Sequence, residues 1–185
     1  MQYLIILLAL LLLSFNTPIE NKVVYSERIC SAVEIPYKSG KKLNWSDFTF
    51  SEERKDKVIA TASTGLYYSF SQKGNKLEVN VCAYFSKPES FVVCGKESDH
   101  VLNHEQKHFD ITYLFSLKLI QKCRAYQNLD VATVDRLYNQ TKQELDAFQD
   151  RYDAETTHSL NKGSQLQWDK IIADEIKEME WKLNN

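Results

Sequence analysis

Two regimes of hydrophobic and polar positions divide this chain. Between Val58 and Val93 the period is two. Leu77, Val79, Val81, Ala83 and Phe85 alternate with Glu78, Asn80, Cys82 and Tyr84, as side chains do on the two faces of a strand. Ile59–Thr64 and Leu66–Phe70 are rich in β-branched and aromatic residues, and Gln72–Lys76, with Gly74, is a turn. Together they predict a β-hairpin. Lys87-Pro88-Glu89 breaks the pattern, and Ser90–Val93 reads as one more short strand. Upstream, Val23–Pro36 has room for one or two strands, Lys38–Lys42 is a polar turn, and Ser51–Asp56 reads as surface.

From Asp99 onward the period lengthens to that of a helix. Val101, His104, His108, Ile111, Phe115 and Leu119 recur at steps of three or four, one continuous stripe of the kind that faces a core. Gln106, Lys107 and Asp110 are expected on the opposite, solvent side. Ser98 or Asp99 supplies a cap, and the helix should run to about Arg124. After Asn128-Leu129-Asp130, the positions Val131, Val134, Tyr138, Leu145 and Phe148 mark a second helix reaching about Tyr152. A loop over 157–163 precedes a third, Leu166–Leu183, with Trp168, Ile171, Ile172, Ile176, Met179 and Leu183 inward. Strands followed by helices predict an α+β fold: a small antiparallel sheet, then three helices.

Composition narrows the class. A chain of 185 residues, 43% hydrophobic and 12% aromatic, is a single globular domain rather than a disordered segment. Its 23 basic and 25 acidic residues give a net charge of −2, and without a basic block nothing points to nucleic acid. The run Leu4–Leu13 is uninterruptedly apolar but shorter than the roughly 18–20 residues a spanning helix needs. It reads as the core of a signal peptide over residues 1–20, with an uncleaved N-terminal anchor as the alternative. The folded domain is then 21–185. It is extracytoplasmic, periplasmic or secreted, with no stable membrane insertion after signal removal. In such a compartment Cys30, Cys82, Cys94 and Cys123 permit up to two disulfides in three pairings. Cys94 with Cys123 is disfavoured. Cys123 lies about 36 Å along the helix from Asp99, and the five residue steps from Cys94 to Asp99 span only about 17 Å.

The chemistry centres on His104-Glu105-Gln106-Lys107-His108. Spaced four apart on a helix, the two imidazoles lie on one face about 6 Å apart along the axis and can aim at one ion. Glu105 is rotated about 100° away, beside that face. Two neutral nitrogens for Zn²⁺, an open position for water and a neighbouring base are the parts of a metallopeptidase site. His100 shares the face but lies too far from His108 to join the same ion on a straight helix; it reads as first-turn surface or substrate-side lining. A catalytic zinc needs one more side chain. Glu144, Asp150, Asp153, Glu155 and His158 follow the motif. His158 is the only histidine among them and lies where the second helix should end. The alternative role for Asp153 is to orient a ligand imidazole from behind.

Leu43-Asn44-Trp45-Ser46-Asp47-Phe48, the Ala60–Tyr68 stretch with its Thr-Gly, Leu102–Ile111 around the motif, and Tyr152-Asp153-Ala154-Glu155-Thr156-Thr157-His158 together resemble a bacterial family. It is the group of predicted secreted zinc-dependent proteases catalogued as a domain of unknown function. The resemblance spans about residues 40–170. Ser159 stands where that family's pattern has Gly, and Phe91 where it has Trp. The resemblance implies a zincin-like protease acting on peptide or protein substrates. It points to the segment of His158 for the third ligand, so that the expected metal set is His104, His108 and His158, with Asp153 or Glu155 as alternatives. Glu105 is the expected general base, and Tyr152 a helper in stabilising the oxyanion. The rival expectation is a secreted binding or structural module with a closed or absent metal site.

Overall fold

The computed structural model describes residues 20–27, 31, 33–38, 40–52, 58–74 and 76–185. The apolar run read as a signal peptide, Cys30, and most of the 51–56 stretch lie outside the described residues. The fold is mixed α+β: strands β1 (Glu20–Tyr25), β2 (Glu34–Pro36), β3 (Thr49–Ser51), β4 (Ala60–Thr61), β5 (Thr64–Lys73), β6 (Lys76–Ser86) and β7 (Phe91–Val93), then helices α1 (Asp99–Arg124), α2 (Val131–Thr156) and α3 (Lys162–Asn184).

β6 is the spine of the larger sheet. The hairpin partner β5 covers one edge, in antiparallel register from Thr64 opposite Phe85 to Lys73 opposite Lys76. The other edge is shared: β1 runs parallel along residues 76–81, and β2 antiparallel along 84–86. A second, three-stranded sheet places β7 between β3, parallel to it, and β4, antiparallel. The sheets are therefore mixed, where the hydrophobic pattern suggested an antiparallel one. Only the β5–β6 pair is joined by a tight turn that forces direction; β1 and β3 reach their partners from distant parts of the chain.

The inward row of β6 is as the alternation required: Leu77, Val79, Val81, Ala83 and Phe85 are all buried. They share one core with Ile111, Leu114 and Leu119 of α1 and Trp168 and Ile172 of α3. Cys82, on the other face of β6, is also buried and is disulfide-bonded, whereas Cys94 and Cys123 are free.

α1 is a central helix, and this overturns one expectation. Gln106, Lys107 and Asp110 are buried, because the face turned away from the histidines is covered by the segment around β2. Gln106 accepts a hydrogen bond from the Leu43 amide at 2.8 Å and donates to Asp110 Oδ1 at 2.8 Å. Lys107 Nζ lies 2.6 Å from Asp110 Oδ2, and the Tyr37 hydroxyl donates to Asp110 at 3.1 Å. Burial of these charges is tolerable because each is paired and hydrogen-bonded. On α3, Ile171 is 42% exposed rather than inward, one position off the stripe that Trp168 and Ile172 form.

Candidate metal centre

α1 begins at Ser98, whose hydroxyl accepts from the Val101 amide, and carries His104 and His108 toward α2. α2 continues past its expected end at Tyr152 to Thr156, so Asp153 sits in its last turn, facing α1. His104 Nε2 and His108 Nε2 are 3.2 Å apart, and each is 3.0 Å from Asp153 Oδ1. These three atoms form the one group among the described residues that could hold a metal ion.

The outer hydrogen bonds decide what those atoms are. His104 Nδ1 faces the side-chain oxygen of Gln165 at 3.0 Å. The amide of Gln165 is oriented by its own donations, to the Tyr152 hydroxyl at 2.6 Å and to Asp169 at 2.8 Å. His108 Nδ1 likewise meets the side-chain oxygen of Gln149, whose nitrogen donates to Thr112 Oγ1 at 3.1 Å. Both Nδ1 atoms must therefore carry hydrogen. In the neutral rings, both Nε2 atoms are bare acceptors pointed at each other and at a carboxylate. Three converging lone pairs are satisfied either by a proton shared among them or by a metal ion held between them. Tetrahedral zinc, with bonds of about 2.0–2.1 Å, sets neighbouring ligand atoms about 3.3 Å apart, close to the observed triangle. A set of two imidazoles and one carboxylate, with one side facing a cleft, suits an ion that keeps an open position.

Titration behaviour follows from the same contacts. Burial works against the charged forms of both partners. Even so, the histidine hydrogen bonds and charges hold the Asp153 carboxyl well below the usual carboxylate range. For His108, the Asp153 bond and the charges of Glu105 and Asp153 outweigh burial and raise its pKa. Glu105 is only 4% exposed. Burial raises its pKa, against the pull of His108, His104 and the Ala62 amide, which donates to Glu105 Oε2 at 2.6 Å.

The group lines one side of a cleft of about 950 Å³. Glu105, His104, His108 and Asp153 share its wall with the 58–64 segment and residues 157–160. His158, expected as third ligand, lines this cleft but is not part of the converging set. Its side chain is 69% exposed, with Nδ1 3.6 Å from Asp153 Oδ2. The cause is the extra helical turn, which gives the inward position to Asp153 and leaves His158 in the turn beyond. Glu155 points elsewhere, accepting from Arg151 and Trp168. Tyr152 is fully buried. Its ring stacks on His104 at 4.7 Å, and its hydroxyl is engaged by Gln165, so it supports the His104 ring instead of facing the cleft. His100 meets the Ser159 carbonyl at 2.5 Å. Gln149, Gln165 and Asp169 had no signal in the sequence, since polar residues at helical spacing usually mark a solvated face.

Comparison of the chain with protein-family models, curated proteins and solved structures finds no match. Among the described residues no helix is long and apolar enough to cross a membrane.

Proposed function

We propose that this protein is a secreted zinc metallopeptidase with a zincin-like centre, in which His104, His108 and Asp153 hold the ion and Glu105 is the general base. The observation that carries the reading is the convergence of two imidazole nitrogens and a carboxylate oxygen at the wall of a cleft, with a buried carboxylate beside them. The resemblance of the motif helix and the 152–158 segment to secreted zinc-dependent proteases supports it. Export is supported by the apolar run at Leu4–Leu13 and by the disulfide at Cys82, a bond that persists in oxidising compartments.

Zinc so held supplies a Lewis acid that acidifies a water and polarises a carbonyl. The chain's own residues do the rest. Glu105, with its pKa raised by burial, accepts the proton of the attacking water and later delivers it to the leaving amine nitrogen. One oxygen stays fixed by the Ala62 amide, which holds the carboxylate in place between the two transfers. Gln149 and Gln165 keep Nδ1 of each imidazole protonated, so Nε2 stays a donor to the ion. Water and the peptide bond are consumed, and a carboxylate and an amine are formed.

A closed structural site needs a fourth protein ligand, and among the described residues the group has three. Elemental analysis with a peptidase assay tests the reading. The expected result is about one zinc per chain in the wild type, none in His104→Ala, and zinc without turnover in Glu105→Gln. A wild type that binds no zinc, or a Glu105→Gln variant that hydrolyses peptides normally, would overturn it.

A further inference from the structure

The turn that follows α2 is the one place among the described residues where non-glycine residues adopt positive φ: Thr157 at 51°, His158 at 47° and Ser159 at 70°. L-residues rarely hold that conformation even singly. Here three in series are locked by their surroundings. The His158 amide donates to Asp153 O at 2.9 Å, the Leu160 amide to Thr157 O at 3.1 Å, and the Asn161 amide to Thr156 O at 2.8 Å. His100, one turn before His104, pins the Ser159 carbonyl at 2.5 Å. Backbone strain fixed beside a reactive centre is a reason to look for function there.

What the turn presents is Leu160, which is 74% exposed and lines the cleft. Val58 and Ile59 line it too. An isolated exposed leucine needs no explanation. This one is held by a constrained backbone in the same cleft as Val58, Ile59 and the candidate metal-binding group. Asp146 and Asp150 of α2 line the cleft as well, against a single lysine, Lys96, so an acidic ligand side chain meets more like charge than opposite charge there.

We infer that the cleft accepts a peptide with a large apolar side chain next to the bond being cut, and that Leu160 is a specificity-determining residue. The turn supplies a pre-formed wall, so little ordering is lost when a substrate docks. Val58 and Ile59 extend the apolar surface. The inference rests on the metallopeptidase reading for the position of the cut bond, but not for the preference itself.

Two kinds of probe test it. The first is a pair of hydroxamates, with an isobutyl or a carboxymethyl side chain beside the metal-binding group, titrated into the zinc-loaded protein. The second is a pair of capped pentapeptide amides, with Leu or Asp at the centre, titrated into Glu105→Gln. The expected result is at least tenfold tighter binding of the apolar member in each pair. Leu160→Asp should erase the difference and Leu160→Met keep it, with zinc content and melting temperature unchanged. If the protein holds no zinc, the metallopeptidase reading fails. The hydroxamates then bind nothing and the capped peptides decide alone. Equal affinity for the Leu and Asp peptides, or a preference that survives Leu160→Asp, overturns the inference.

Discussion

Gln165 Oε1 lies 3.0 Å from Nδ1 of His104, and this contact fixes which nitrogen of the ring faces the cleft. The amide cannot flip without losing its donation to Asp169, whereas the Tyr152 hydroxyl lies within reach of both its atoms. Gln165 is an outer support for the candidate metal centre, built from α3, a helix that carries none of the three converging atoms. Gln165→Leu should therefore leave the fold in place and weaken zinc binding by about 10–100-fold. Competition against a chelating dye is the measurement. An affinity equal to wild type would show that the tautomer is fixed by something else.

Asp153 and His158 separate cleanly in the structure, and their variants should too. Asp153→Ala removes one of the three converging atoms and is expected to cost more than 100-fold in zinc affinity. His158→Ala removes a side chain that is 69% exposed and 3.6 Å from the outer oxygen of Asp153. It should change affinity by less than about threefold, as for an exposed ion pair. The reverse order would return His158 to the metal.

The strand alternation, the helix stripe through His104 and His108, and the Ser98 cap were legible because each depends on local periodicity or local hydrogen bonding. The burial of Gln106, Lys107 and Asp110 was not, since it depends on a partner segment more than 60 residues away: Leu43 bonding Gln106. The third corner of the candidate metal site was legible as a segment but not as a residue. Whether α2 stops at Tyr152 or at Thr156 decides between His158 and Asp153, and helix ends are only weakly encoded in sequence. Gln149 and Gln165 become intelligible only once three helices are packed together.

Ser159 offers a test of the strained turn. Its φ of 70° is in the left-handed region, which costs a non-glycine residue about 1–2 kcal/mol. Glycine holds that conformation freely but loses more entropy on folding. Ser159→Gly should therefore give a net gain of about 0.5–1 kcal/mol, a rise of a few degrees in melting temperature for a chain of this size. Calorimetry of the metal-free proteins checks it. A lower melting temperature would mean that the buried hydroxyl contributes more than the strain costs.

The metal-free and zinc-loaded proteins should respond to pH in opposite directions. In the metal-free protein His108 has a raised pKa: burial opposes its charge, but the Asp153 bond and the charges of Glu105 and Asp153 outweigh it. Glu105 is also raised, by burial first. A group whose pKa is raised by folding holds its proton more tightly in the folded chain. Its stabilising contribution is full below its unfolded pKa, about 6.5 for His and 4.3 for Glu, and is lost as pH rises through the folded value. Asp153 is shifted the other way. Its contribution is full above the ordinary carboxylate range and is lost only in acid, outside the window between pH 6 and 8.5. Within that window the raised groups govern, so metal-free protein should melt a few degrees lower at pH 8.5 than at pH 6. Zinc competes with the same protons. Its affinity rises as the imidazoles lose theirs, and ligand binding adds RT ln(1 + [L]/Kd) to stability. The zinc-loaded protein should therefore melt higher at pH 8.5 than at pH 6. Melting curves recorded with chelator and with excess zinc at both pH values give the comparison, and two curves that move in parallel would show that the His108–Asp153 pair is not where the metal binds.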